Sequence, residues 1–151
     1  MQIRKAVPQD NAAARELVRR SLSAFGIEAD FDNIDRAVGL LGTSDITNSI
    51  ELVAILDGSL VGCLAIQRLT DTCAKLLGFH VATNRQGHGI GRSLLSVAIA
   101  EATGLGFTQL NLDTWGNMEA AVHLYESFGW KRDRDPPPES GADRSYRLLM
   151  N

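Results

Sequence analysis

Apolar positions along the chain repeat with a period of two in some stretches and about 3.6 in others, and each change of period marks an element. Ile3 to Val7 reads as a short first strand. Pro8-Gln9-Asp10 then turns the chain, with Asp10 placed to cap a helix over residues 11–24. In that helix Ala14, Leu17, Val18, Leu22 and Phe25 recur at helical spacing, Arg15, Glu16, Arg19 and Arg20 take the other face, and Gly26 marks the stop. Residues 27–50 are the least patterned, though Phe31, Ile34, Val38 and Leu41 predict a second short helix over 31–41, ending at Gly42. Residues 51–56 lead into the hairpin signal Asp57-Gly58, return over 59–67, and continue as a third strand over 74–82. These strands form an antiparallel meander, on which Cys63 and Cys73 are expected near one another as small packing residues.

From Gly89 the period returns to 3.6. Ile90, Leu94, Ala98 and Ala102 form one stripe with Leu95 and Ile99 beside it, and Gly104-Leu105-Gly106 ends the helix. Residues 109–113 alternate as a strand, and a further helix is predicted over 117–128, closed by Gly129. Residues 130–132 and 144–150 read as two final strands separated by the stiff Pro136-Pro137-Pro138 loop. The order β-α-α-β-β-β-α-β-α-β-β predicts an α/β fold: one mixed, largely antiparallel sheet with helices on both faces, a single domain over 1–151.

Composition narrows the function classes. Apolar residues make up 44% of the 151, enough for one domain to bury roughly two thirds of its unfolded surface without staples. The 15 Lys and Arg against 18 Asp and Glu leave a charge of −3, which argues against nucleic acid held by bulk charge. Apolar runs such as Val97–Ala100 are too short to span a membrane, and the first residues lack a signal-peptide core. Two cysteines suit a reducing compartment, so a cytoplasmic location is expected.

The most informative stretch runs from Val81 to Leu95: a strand, a turn containing Gly87, Gly89 and Gly91, then an amphipathic helix. Glycines there allow positive φ and close approach of a ligand, and the N–H groups of a helix N-terminus favour an anion. Arg85 and Arg92 flank the turn with positive charge. It reads either as a phosphate cradle or as a turn that only caps the helix. The dinucleotide fingerprint fails because Arg92 occupies its last glycine position, and the phosphate-loop motif fails for want of a lysine.

Gln86-Gly87-His88-Gly89-Ile90-Gly91 resembles the Q/R-x-x-G-x-G/A acyl-CoA signature of the GNAT N-acetyltransferase superfamily. The stretch from Asn117 to Trp130 is similar to that family's N-x-x-A-x-x-L-Y-x-x-x-G-F pattern, with Trp130 for the usual Phe and the alanine shifted or duplicated. Residues 3–10 resemble its usual opening, so the likeness covers nearly the whole chain. The resemblance implies that backbone N–H groups from Gln86 through Gly87, His88, Gly89, Ile90 and Gly91, with Arg92, hold the pyrophosphate of acetyl-CoA. It implies that the strand edge at Phe79, His80 and Val81 pairs with the pantetheine arm. Splaying of that strand from the one at residues 110–113 would open a slot for the thioester, an N–H near Val81 would stabilise the oxyanion, and Asn117 would contact the cofactor or order its helix. By the same resemblance Tyr125 is the general acid that protonates the departing thiolate.

The general base is a gap, because the strand before the glycine turn carries no carboxylate. Asp113 is the first candidate, His80 the second and Glu51 the third; loss of the amine proton to solvent is the alternative. His88 and His123 read as turn and surface residues, and no cluster has metal-ligand spacing, so no metal is expected. Glu28, Asp30, Asp32 and Asp35 either attract a cationic amine or are a solvated helix start, and Phe25, Phe31 and Trp115 are candidate pocket walls. The expected activity is transfer of an acetyl group to a primary amine, of a small molecule before a protein or peptide. A catalytically silent acyl-CoA sensor is the remaining alternative. Dimers through the last strands are common in this fold, which leaves a homodimer through residues 146–150 open.

Overall fold

The computed structural model describes residues 1–150. Seven strands form one sheet in the order β1-β2-β3-β4-β5-β7-β6. They are β1 (Gln2–Lys5), β2 (Ile50–Leu56), β3 (Ser59–Arg68), β4 (Cys73–Val81), β5 (Gln109–Thr114), β6 (Lys131–Arg132) and β7 (Arg144–Leu149). Every neighbouring pair is antiparallel except β4 and β5, which run parallel because α3 (Ile90–Gly104) crosses over between them. The remaining helices are α1 (Asn11–Ser23), the single turn α2 (Arg36–Gly39) and α4 (Glu119–Ser127). Among the described residues no helix is long and apolar enough to cross a membrane.

Strand alternation sorts the core into two layers. Val53, Cys63 and Ala65 turn toward α1 and α2, where they meet Leu17, Val18, Leu22 and Val38. Leu52, Leu64, Ile66, Ala74, Leu76, Leu110 and Leu112 turn the other way, onto α3 and α4. The predicted stripe of α3 is its buried face, and Leu94 and Leu95 there are fully enclosed. Each such leucine contributes about 1.5–3 kcal/mol by leaving water.

Four local expectations are corrected. Asp10 does not cap α1: it is already in helical conformation, and its carboxylate turns back to Arg4 (2.7 and 3.0 Å) and the Val7 N–H (2.8 Å). A two-pronged guanidinium outcompetes one helix N–H for that carboxylate. The second helix is shorter than expected because residues 30–35 close on themselves, Asp30 N–H donating to Asp35 Oδ2 (2.8 Å) and Asp35 N–H to the Asp30 carbonyl (2.7 Å). Helix α4 starts at Glu119, so Asn117 lies outside it, in a turn that Met118 N–H closes on the Trp115 carbonyl (3.1 Å). Cys63 and Cys73 are not neighbours: Cys63 is registered with His80, near the far end of β4 from Cys73.

The feature that positions the site lies in β4. Two residues of β4, Gly78 and Phe79, oppose the single residue Leu64 of β3 between the pairs Cys63–His80 and Ala65–Leu77, and Gly78 within this bulge has φ +62°. Pairing with β5 covers only Cys73–Lys75 against Gln109–Asn111, after which the two parallel strands part.

Candidate active site

The parting of β4 and β5 leaves a gap through the sheet with a cavity at either side. One, of about 470 Å³, is bounded by the glycine turn, the start of α3 and the face of α4 carrying Ala121 and Leu124. The other, of about 570 Å³, lies under α2 and the 139–142 loop. Phe79, His80, Met118 and Ala121 line both, so the cavities adjoin at the gap, and these residues form the join.

On the first side, Gly87 and Gly89 have φ of +83° and +79°, and a Cβ at either would meet nothing within 4 Å. These glycines serve backbone conformation and leave the space above the turn clear. Ser93 N–H is bonded to the Gly89 carbonyl (3.0 Å), while the N–H groups of Ile90, Gly91 and Arg92 precede the first intrahelical bond and stay free for an anion. Gly91 has a different role: a Cβ there would stand 3.1 Å from Leu124 Cδ2 and 3.4 Å from Phe79, so the first turn of α3 packs directly on β4 and α4. Arg92 is held beside the turn by Ser127 Oγ (2.9 Å) and by stacking over Phe128 at 5.0 Å. Gln86 and Arg85 also line this cavity, as does Phe25, whereas His88 is exposed and does not. Asn117 is exposed and lines neither cavity. Beyond the bulge Ala82 N–H bonds to the Val61 carbonyl (2.8 Å), so strand alternation turns the Val81 N–H the other way, into the gap.

Tyr125 borders the second cavity, next to Phe79 of the join. Its ring is boxed by Phe79, Trp130 and Tyr146 at centroid distances of 6.0, 5.7 and 6.1 Å, and the residue is only 5% exposed. Its hydroxyl has no hydrogen-bond partner among the described residues, and the residue borders the second cavity. Burial pushes the phenol above its ordinary range, so it holds its proton. His80 is half-buried with Nδ1 2.8 Å from Ser21 Oγ, and burial lowers its imidazolium to about 4, leaving the ring neutral at pH 7.

The three base candidates differ in surroundings. Asp113 accepts from Lys75 Nζ (2.8 Å) and Ser145 Oγ (2.6 Å), so both its oxygens are engaged at the rim of the second cavity. Glu51 lies away from either cavity, buried under the 42–48 loop, where it accepts from Gly42 N–H (3.1 Å) and Asn48 Nδ2 (2.7 Å). His80 alone lines the join. Of the acidic cluster, Asp32 and Asp35 line the second cavity while Glu28 and Asp30 do not. Burial raises the carboxyl of Asp35, and Glu139 adds a third acid from the loop after the prolines. Trp115 is a wall here; Phe31 is not, its ring covered by Arg15 and Arg19 at 5.2 and 5.4 Å. Sequence reasoning missed Met118 and Ala121 as lining residues, although both fall on one face of the helix predicted over 117–128. It also missed Ser21, which had no signal at all.

Residues 11–130 match the model of the acetyltransferase (GNAT) family. The chain belongs to that family. It is accordingly an acyltransferase, and the glycine turn and Tyr125 both fall inside the matched span. An uncharacterized N-acetyltransferase of Schizosaccharomyces pombe is 30% identical over 128 residues, covering 83% of this chain and 78% of its own. A GNAT-family acetyltransferase from Staphylococcus aureus superposes with a TM-score of 0.87 at 18% identity, covering 99% of both chains. A Brucella melitensis GNAT acetyltransferase crystallised with acetyl-CoA gives 0.73 at 22% identity, over 99% of this chain and 88% of that one. The GNAT fold expected from the sequence is thus the one observed.

Proposed function

We propose that this protein transfers an acetyl group from acetyl-CoA to a primary amine of a small molecule, by direct attack within a ternary complex. The observation that carries the reading is the join of two cavities across the β4–β5 gap, with a neutral, unpartnered Tyr125 hydroxyl beside it. Acetyl-CoA, when bound, supplies an activated acyl carbon and a thiol leaving group. The free N–H groups of Ile90, Gly91 and Arg92, with the Arg92 and Arg85 side chains, would hold its pyrophosphate. The Val81 N–H, turned into the gap, would bind the acyl oxygen as it gains charge. Tyr125, which burial keeps protonated at neutral pH, gives its proton to the departing sulfur.

The second cavity supplies the amine. Asp32, Asp35 and Glu139 face it, and among the described residues lining it Arg36 is the one cation besides Lys75, which is taken up by Asp113. That balance attracts a protonated amine. With Asp113 and Glu51 both engaged in hydrogen bonds, the amine sheds its proton to water in this open cavity rather than to a dedicated carboxylate.

The test is thermal stability with and without saturating acetyl-CoA, followed by an amine screen that reads free thiol. A ligand at about 100 times its dissociation constant adds roughly 2.7 kcal/mol to the native state. Tyr125→Phe should keep that stabilisation and the fold, since the lost hydroxyl has no partner among the described residues, while kcat falls by about 10²-fold or more. No stabilisation by acetyl-CoA sinks the cofactor assignment. Stabilisation without turnover of any amine points to an acyl-CoA sensor, and unchanged turnover in Tyr125→Phe removes the acid role.

A further inference from the structure

His80 occupies the join of the two cavities, and its ring is gripped from the α1 side. Ser21, 9% exposed on the inner face of α1, places Oγ 2.8 Å from His80 Nδ1. A helix hydroxyl usually has a second acceptor in the carbonyl four residues back, as Thr103 has in Ile99 (2.8 Å). Ser21 makes no such bond among the described residues, so His80 Nδ1 is the acceptor within its reach. We infer that Ser21 donates its proton to Nδ1 and thereby fixes His80 as the Nε2–H tautomer, a hydrogen-bond donor presented to the acyl carbonyl at the join.

The assignment follows from the ring's own inventory. A neutral imidazole carries one proton; if Nδ1 accepts, Nε2 must carry it. Nε2 has no protein partner among the described residues, and the residue borders both cavities. The donor role rests on the acetyl-transfer reading above. There, the amine nitrogen bonds to the acyl carbon, the carbon–sulfur bond breaks, and charge gathers on the carbonyl oxygen. His80 shares its Nε2 proton with that oxygen without transferring it. The ammonium loses one proton to water before attack and the nitrogen loses a second as the amide forms, the thiolate takes a proton from Tyr125, and the phenolate regains one through water. The opposite tautomer would aim a lone pair at the oxygen and repel it. Ser21, 59 residues away in sequence, is therefore a positioning residue that acts through His80.

Histidine tautomers are read directly from long-range proton–nitrogen NMR correlations in the ¹⁵N-labelled protein, with His80 identified by the loss of its signals in His80→Gln. The measurement needs neither acetyl-CoA nor an amine, so it stands even if the acetyl-transfer reading fails. The expected result is an unprotonated Nδ1 and a protonated Nε2 in the wild type. Ser21→Ala should give a mixture of tautomers and lower kcat by about three- to tenfold, as the loss of one neutral hydrogen bond predicts, with KM for the amine unchanged. Ser21→Thr, which keeps the hydroxyl, should restore both. A wild type protonated at Nδ1, or a Ser21→Ala protein with unaltered tautomer, overturns the assignment. A shifted tautomer with undiminished kcat overturns the donor role.

Discussion

Gly78→Ala puts the origin of the gap to the test. The residue sits at φ +62° inside the β4 bulge, and a Cβ there would stand 2.6 Å from Val38 Cγ2. Val38 is 1% exposed and β-branched, so the methyl group has little room to move. The left-handed conformation costs a non-glycine residue about 1–2 kcal/mol. Overpacking into a filled core adds roughly 1–3 kcal/mol. The variant should therefore lose about 2–5 kcal/mol, read by urea unfolding at 25 °C through Trp115 and Trp130 fluorescence. In a chain of this size each kcal/mol lowers Tm by roughly 2–4 °C. A double-mutant cycle separates the two contributions. In a Val38→Ala background the clash is gone and only the backbone cost of about 1–2 kcal/mol remains. A loss under about 0.5 kcal/mol in the wild-type background would refute the bulge conformation. An equal loss in both backgrounds would refute the contact with Val38.

Two further outcomes are expected. Glu51→Ala should destabilise by roughly 2–4 kcal/mol, because it strands the Gly42 N–H and an Asn48 amide proton in the interior, and guanidinium unfolding would show it. A loss within experimental error would mean water satisfies those groups. His80 titrates at about 4 in the native state against 6.5 ordinarily, so the unfolded chain binds its proton first as pH falls. Its contribution is intact above 6.5 and lost down to about 4, a difference of up to about 3 kcal/mol. Stability curves of wild type and His80→Gln should converge across that window, and parallel curves would contradict the shift.

The element order and the glycine cradle were legible because each rests on local chemistry: period-two and period-3.6 apolar spacing, and glycines where φ must be positive. The bulge left a trace, a glycine inside a strand pattern, but nothing local says that β4 would bend away from β5 there. The contacts that decide side-chain roles were not legible. Lys75 and Asp113 meet across two parallel strands joined through α3, and Ser21 meets His80 across the whole meander. Asp10 shows the limit of local rules: it has the residue type and position of a cap, yet Arg4 from the preceding strand claims its carboxylate. Asn117 likewise fits a helix-start pattern, while the turn closed on Trp115 delays the helix past it.

The three paired residues that join β4 to β5 have a mechanical meaning. With the bonds from the Thr108 and Gln109 N–H groups to the Thr72 carbonyl, they are the rungs seen among the described residues between a four-stranded lobe and a three-stranded one, and the Lys75–Asp113 ion pair is fastened just where the rungs stop. The sheet is thus a hinge with a clasp at its apex. A molecule lying along the open edge of β4 would bridge both leaves, so occupancy of the gap should slow amide hydrogen exchange in β5 and β7 as well as in β4.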